Sequence, residues 1–174
     1  MFNTTVSIIL GVDPGSRFTG WGVISHEVSR QRSGELTCLG HGVLELGETD
    51  PLPRRLGRLL EVFRDKIEQY KPDCVAVEKV FMAKNADSAF KLGHARGVIL
   101  ALAGAYALPV HEYATRHAKK MLTGNGAASK EQVMWMVEQM FSLRTNSLDA
   151  TDALALAVCH AREAEVTRIM ELAR

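Results

Sequence analysis

The chain has 174 residues, 47% hydrophobic and 24% charged, which suits one globular domain with a sizeable core and leaves too little chain for a second full domain. Net charge is only +1, but residues 79–130 hold eight Lys and Arg against two acids, and both flanking segments are net acidic. No run of 18 apolar residues suggests a membrane span, the opening MFNTTVSIILGVD lacks the basic start of a signal peptide, and Cys38, Cys74 and Cys159 are odd in number and scattered; the expectation is a cytoplasmic protein with neither a disulfide framework nor a zinc site.

In chain order, Ser7 to Val12 is an unbroken apolar run that predicts a strand buried on both faces, ending on Asp13 and broken by Pro14 and Gly15. Thr19 to Glu27 and Glu35 to Leu46 predict two further strands of a meander, with RQRSG as the turn between them. Leu52, Leu56, Leu59, Leu60, Phe63 and Ile67 recur at helical spacing over residues 52–70, and Lys71-Pro72 ends that helix. CVAVE at 74–78 predicts a second buried strand that finishes on a carboxylate, Glu78. An Ala-rich helix over 86–107, a short strand from Pro109 to Tyr113, and helices over 129–141 and 149–164 complete the order β-β-β-α-β-α-β-α-α. TGNGAAS at 123–129 is a Gly-rich loop that supplies Ser129 as a helix cap; without a G-K-[ST] ending it is not a P-loop.

Two buried strands ending on acids carry the chemical argument. Burying a lone carboxylate costs several kcal/mol, so each needs a compensating partner. If the two strands are parallel neighbours, Asp13 and Glu78 emerge at one sheet edge, where open sheets place their sites. Asp149 and Asp152 in LDATDALALAV sit at i and i+3 on the first turn of a helix; Asp149 could serve as a helix cap, whereas Asp152 precedes a stretch that must face the core. Such a cluster repels itself unless a cation joins it, and hard oxygen ligands suit Mg²⁺ or Mn²⁺, whose natural substrate is a phosphodiester.

The blocks GVDPGSRFTGWGVI, AVEKVFMAKNADSAFKLGHARGV and DATDALALAVCHA, with the elements between them, resemble the RuvC family of Holliday junction resolvases over about residues 8–162. The resemblance implies an α/β, ribonuclease-H-like fold: a five-stranded mixed sheet flanked by helices, as a single nuclease domain over 1–174 whose tail after about 162 is not diagnostic. It also implies a homodimeric endonuclease that nicks four-way junction DNA symmetrically in recombination and repair, leaving 5′-phosphate and 3′-hydroxyl ends, alongside the branch-migration proteins RuvA and RuvB. By the same resemblance Asp13, Glu78, Asp149 and Asp152 hold two Mg²⁺ ions, with Mn²⁺ as a substitute, and Phe81, Lys119 and Lys130 contact DNA; Lys84 and Arg116, in the basic segment 79–130, are expected to join them. The apolar stretch VILALAGAY at 98–106 is the expected dimer face. Sugar kinases and actin-like ATPases share a strand ending G-x-D-x-G, but need a duplicated domain for which this chain has no room.

Overall fold

The computed structural model describes residues 5–28, 34–47, 49–79 and 86–172. Strands β1 (Thr5–Asp13), β2 (Phe18–Val28) and β3 (Glu35–Glu45) precede helix α1 (Leu52–Tyr70), strand β4 (Cys74–Glu78), helix α2 (Ala86–Ala105) and strand β5 (Val110–Tyr113). Helices α3 (Thr115–Thr123), α4 (Lys130–Phe141) and α5 (Leu148–Leu172) follow. The sheet runs β3-β2-β1-β4-β5. The meander pairs antiparallel, with a bulge at Val23/Ile24, while β1 and β4, and β4 and β5, pair in parallel.

The two-residue side-chain period divides the core between the two faces of the sheet. On one face Leu10, Val12, Val23 and Val75 meet Leu59, Phe63 and Ile67 of α1 and Ala95, Ile99 and Leu102 of α2. On the other, Ile9, Ile24, Cys74, Ala76 and Tyr113 pack against α3, α4 and the apolar run Leu154 to Cys159 of α5. Asp13 has the parity of Ile9, and Glu78 that of Cys74 and Ala76, so both carboxylates are set toward the α5 face.

Two elements depart from the sequence expectation. Helix α3 is absent from it, because the helix is only nine residues long and buries only Ala118 and Leu122, too short a pattern to register as a period. Helix α5 runs to Leu172 rather than 164; beyond Ala161 its apolar side chains Val166, Ile169 and Met170 are exposed, so no buried stripe marks the continuation. Phe81 and Lys84 lie outside the described residues. Among the described residues no helix is long and apolar enough to cross a membrane.

Candidate active site

The site is assembled by three elements. Parallel pairing of β1 with β4, in register through Val12 and Val77, brings Asp13 and Glu78 side by side one residue further on. Ahead of them the chain turns through Pro14 and Gly15, held by hydrogen bonds between Thr19 Oγ1 and the Gly15 backbone and by the Arg55 guanidinium donating to the Ser16 carbonyl.

The third element is α5, which must lie almost on the sheet for its first turn to reach Asp13. Glycine permits this. A Cβ on Gly11 would fall 2.1 Å from the Ala153 carbonyl oxygen, and one on Gly20 would fall 2.0 Å from that of Asp149. Both gaps are far below contact distance, so any side chain at either position displaces the helix. The helix start is fixed by Ser147, whose Oγ accepts from the Ala150 amide at 3.2 Å. Ser147 is therefore the cap, and the Asp149 carboxylate is left for other work. Ligand oxygens of Asp13, Asp149 and Asp152 lie within 4.8 Å of one another.

Lys130 enters the cluster from α4, whose start is pinned by a reciprocal capping box: Ser129 Oγ accepts from the Gln132 amide at 3.2 Å, and Gln132 Oε1 from the Ser129 amide at 2.9 Å. The first helical residue is thereby aimed at the acids. Lys130 Nζ is 2.8 Å from Asp152 Oδ2 and 3.6 Å from Asp149 Oδ1. Burial works against its charge, but the hydrogen bond and charges of these aspartates outweigh it and raise its pKa.

Asp13 has the opposite fate. Burial, then the charges of Glu78 and Asp152, push its carboxyl up to about 8, and a hydrogen bond with Glu78 adds to the effect against the counter-pull of Lys130. At neutral pH these neighbours alone would leave the Asp13 carboxyl largely protonated. Lys130 alone does not neutralise the cluster. A hard dication would, and a donor set made only of carboxylate oxygens fits one.

Thr115, at the first turn of α3, donates its hydroxyl to Glu78 Oε1 and orients that carboxylate. Sequence reading missed it, since nothing in YATR announces a helix start. The acids open into a pocket of about 120 Å³ whose lining includes Asp13, Glu78, Thr115, Lys119, Lys130 and Asp152. Lys119 reaches the pocket, with Nζ donating to the Ala128 carbonyl at 2.8 Å, so it also orders the Gly-rich loop. Arg116 is exposed on α3 beside Gly126 of that loop and does not line the pocket.

A mixed sheet in this strand order, with carboxylates at the ends of its two central parallel strands and on an overlying helix, defines a ribonuclease-H-like metal-dependent nuclease. A family model described as crossover junction endodeoxyribonuclease RuvC matches residues 9–160. The chain belongs to that family. It is 51% identical to the crossover junction endodeoxyribonuclease RuvC of Bdellovibrio bacteriovorus over 95% of this chain and 96% of the relative, and 48% identical to that of Sodalis glossinidius over 89% and 87%. Its fold superposes on Thermus thermophilus RuvC in complex with Holliday junction substrate with a TM-score of 0.83 at 30% identity, covering 92% of this chain and 96% of the other.

Proposed function

We infer that this chain is a Holliday junction resolvase, an endonuclease that nicks four-way DNA junctions symmetrically in recombination and repair and leaves 5′-phosphate and 3′-hydroxyl ends. The observation that carries this reading is the convergence of Asp13, Glu78, Asp149 and Asp152 at one sheet edge, where burial and then the neighbouring carboxylates raise the pKa of Asp13. Two Mg²⁺ ions, replaceable by Mn²⁺, would supply the charge that activates water and steadies the leaving oxygen at phosphorus. Asp13 and Glu78 hold ligand oxygens at the sheet edge, Asp149 and Asp152 oppose them from α5, and Thr115 keeps the Glu78 carboxylate in register. Lys130 is placed to exchange its aspartate partners for a phosphate oxygen when the dication takes them.

For DNA contact the reading enlists Lys119 and Lys130 at the pocket, Arg116 on the neighbouring face of α3, Phe81 by resemblance to the family, and Lys84 from the basic segment. Residues 1–174 form one nuclease domain, with the C-terminal segment an extension of α5. A homodimer is part of the reading, because symmetric nicks on two strands call for two sites related by a two-fold axis. Supporting it, α2 buries Ala95, Ile99, Leu102 and Ala103 but exposes Phe90, Gly93, Gly97 and Gly104, with open space above all three glycines. Work beside RuvA and RuvB in the cytoplasm completes the reading; the three cysteines are free thiols, as a reducing compartment would keep them.

A synthetic four-way junction incubated with and without Mg²⁺ tests the core of this. Paired, ligatable nicks that need the dication are expected. Absence of nicking under Mg²⁺ by a dimeric, junction-bound protein would overturn it.

A further inference from the structure

A second group of metal-ligating side chains lies at the other end of the sheet. Cys74 opens β4, His111 stands on β5 opposite Ala76, and His160 is midway along α5. Sheet pairing and the α5 packing bring one ligand atom from each to within 4.8 Å of the others. Cys74 is 5% exposed, whereas both imidazoles are half-buried, so the group has an apolar floor and an open side.

The two imidazole rings stack with centroids 4.0 Å apart and planes 27° from parallel. Two imidazolium ions would not tolerate that approach. Burial, then the neighbouring His111, lowers the His160 pKa to about 4, so that ring is neutral and offers a lone pair at ordinary pH. Its Nδ1 is 2.8 Å from Tyr113 Oη. With Nδ1–H donating to the phenol oxygen, Nε2 carries the lone pair, the arrangement by which outer hydrogen bonds orient metal-bound histidines.

From this geometry we propose that Cys74, His111 and His160 form a binding site for a thiophilic divalent cation such as Zn²⁺, separate from the acid cluster. One sulfur and two imidazole nitrogens match a borderline-soft ion and leave a fourth tetrahedral position for water. They do not match Mg²⁺, which seeks oxygen. The two sites do not overlap: Cys74 and Glu78 stand at opposite ends of β4, about 13 Å of strand apart, and Asp152 and His160 are about 12 Å apart along α5. Coordination forms a metal–sulfur bond and releases the Cys74 thiol proton to solvent. Because the ligand is the thiolate, the ion's affinity should rise with pH. A bound ion ties β4, β5 and α5 together, the same three elements that present Glu78, Thr115 through the β5–α3 corner, and the two aspartates of α5.

Cysteine spacing gives no sign of this, because both partner ligands are histidines far along the chain. Another S/N/O group, His117, Cys159 and Glu163, lies nearby, but there His117 Nε2 is already hydrogen-bonded to Glu163.

The test is a Co²⁺ titration of reduced, chelator-stripped full-length protein, read by the thiolate-to-cobalt charge-transfer absorption, with Zn²⁺ added afterwards as competitor. We expect saturation at one equivalent per chain, bleaching by Zn²⁺, loss of the band in Cys74→Ser, retention in Cys159→Ser, and a fall in Co²⁺ affinity of about tenfold or more in His111→Gln. His111 is half-buried, so that variant carries the test if Cys74→Ser fails to fold. Absence of the band in the parent protein, its loss in Cys159→Ser, its survival in Cys74→Ser, or unchanged affinity in His111→Gln would each overturn the proposal. Mg²⁺-dependent junction nicking by His111→Gln should match the parent.

Discussion

Lys130 Nζ stands 2.8 Å from Asp152 Oδ2, so in the metal-free protein a lysine occupies the mouth of a carboxylate cluster suited to a dication. The pair is asymmetric, with the lysine side chain 48% exposed and the aspartate only 12%.

Replacing Lys130 by Gln removes the counter-charge and leaves Asp152 without its cation. Because the lysine is half in water, the cost is about 1 kcal/mol, well below that of breaking a fully buried pair. In chelator, thermal melting should fall by about 2–4 °C. In saturating Mg²⁺ the gap should close; a gap of equal size in both conditions would show that Lys130 acts elsewhere.

Asp13→Asn should abolish Mg²⁺-dependent cleavage while junction binding survives, since binding rests on phosphate contacts by Lys and Arg. The same variant carries a pH signature. Asp13 has a folded pKa of about 8, above its ordinary 3.8, so the stability it contributes is fully present below the lower value and is lost as pH rises through the higher one. The amide cannot ionise. In chelator, the Asp13→Asn variant should match the parent near pH 4 and become progressively more stable than it up to about pH 8, by as much as about 1.4 kcal/mol for each pH unit crossed. Melting curves across that range check it, and a constant difference would refute the buried-proton account.

Gly20→Ala places a methyl group 2.0 Å from the Asp149 carbonyl oxygen, against backbone that cannot rotate away. Helix α5 must lift from β2. A stability loss of about 1–3 kcal/mol is expected, with a far larger proportional loss of cleavage because both α5 aspartates move with the helix. Gly57→Ala, at an exposed position of α1 where a Cβ meets nothing within 4 Å, is the control: cleavage should be unchanged and stability should hold or rise by up to about 1 kcal/mol.

Thr115→Val keeps the shape of the side chain and deletes the hydroxyl that donates to Glu78. Thr115 is exposed, so stability should hold to within about 0.5 kcal/mol. Cleavage should fall about tenfold, equivalent to one hydrogen bond of about 1.4 kcal/mol in the transition state. Thr115→Ser should restore it.

The chemistry of this site is legible wherever it is written as a conflict within a local pattern. An aspartate at the end of SIILGV and a glutamate at the end of CVAV violate the apolar period of buried strands, and parallel pairing then unites them. What stays hidden depends on contact between distant segments. Nothing in TGWG says that Gly20 touches the backbone of Asp149, and nothing in ASKEQ distinguishes a surface lysine from one aimed into an acid cluster. The second role of Ser129, in a reciprocal box with Gln132, can be read from the S-x-x-Q spacing; its consequence for Lys130 cannot. Helix α3 is hidden for a different reason: nine residues with two buried side chains give too little periodicity to detect.

The seating of α5 has a consequence for which changes in chain length the protein can absorb. Asp149 and Asp152 share a single rigid rod with Ala153 and Ala157, the residues that press on Gly11. Insert one residue between the acids and that contact, and the first turn rotates by about 100° and advances by about 1.5 Å. Both carboxylates would leave the cleft although every strand stayed in place. A residue inserted beyond Arg168, past the Glu165 carboxylate that accepts from the Gly34 amide beside β3 and where Ile169 and Met170 face solvent, changes none of these angles. The enzyme's tolerance of insertions should therefore switch abruptly within one helix, from forbidding at its start to permissive at its end, set by angular phase and not by depth of burial.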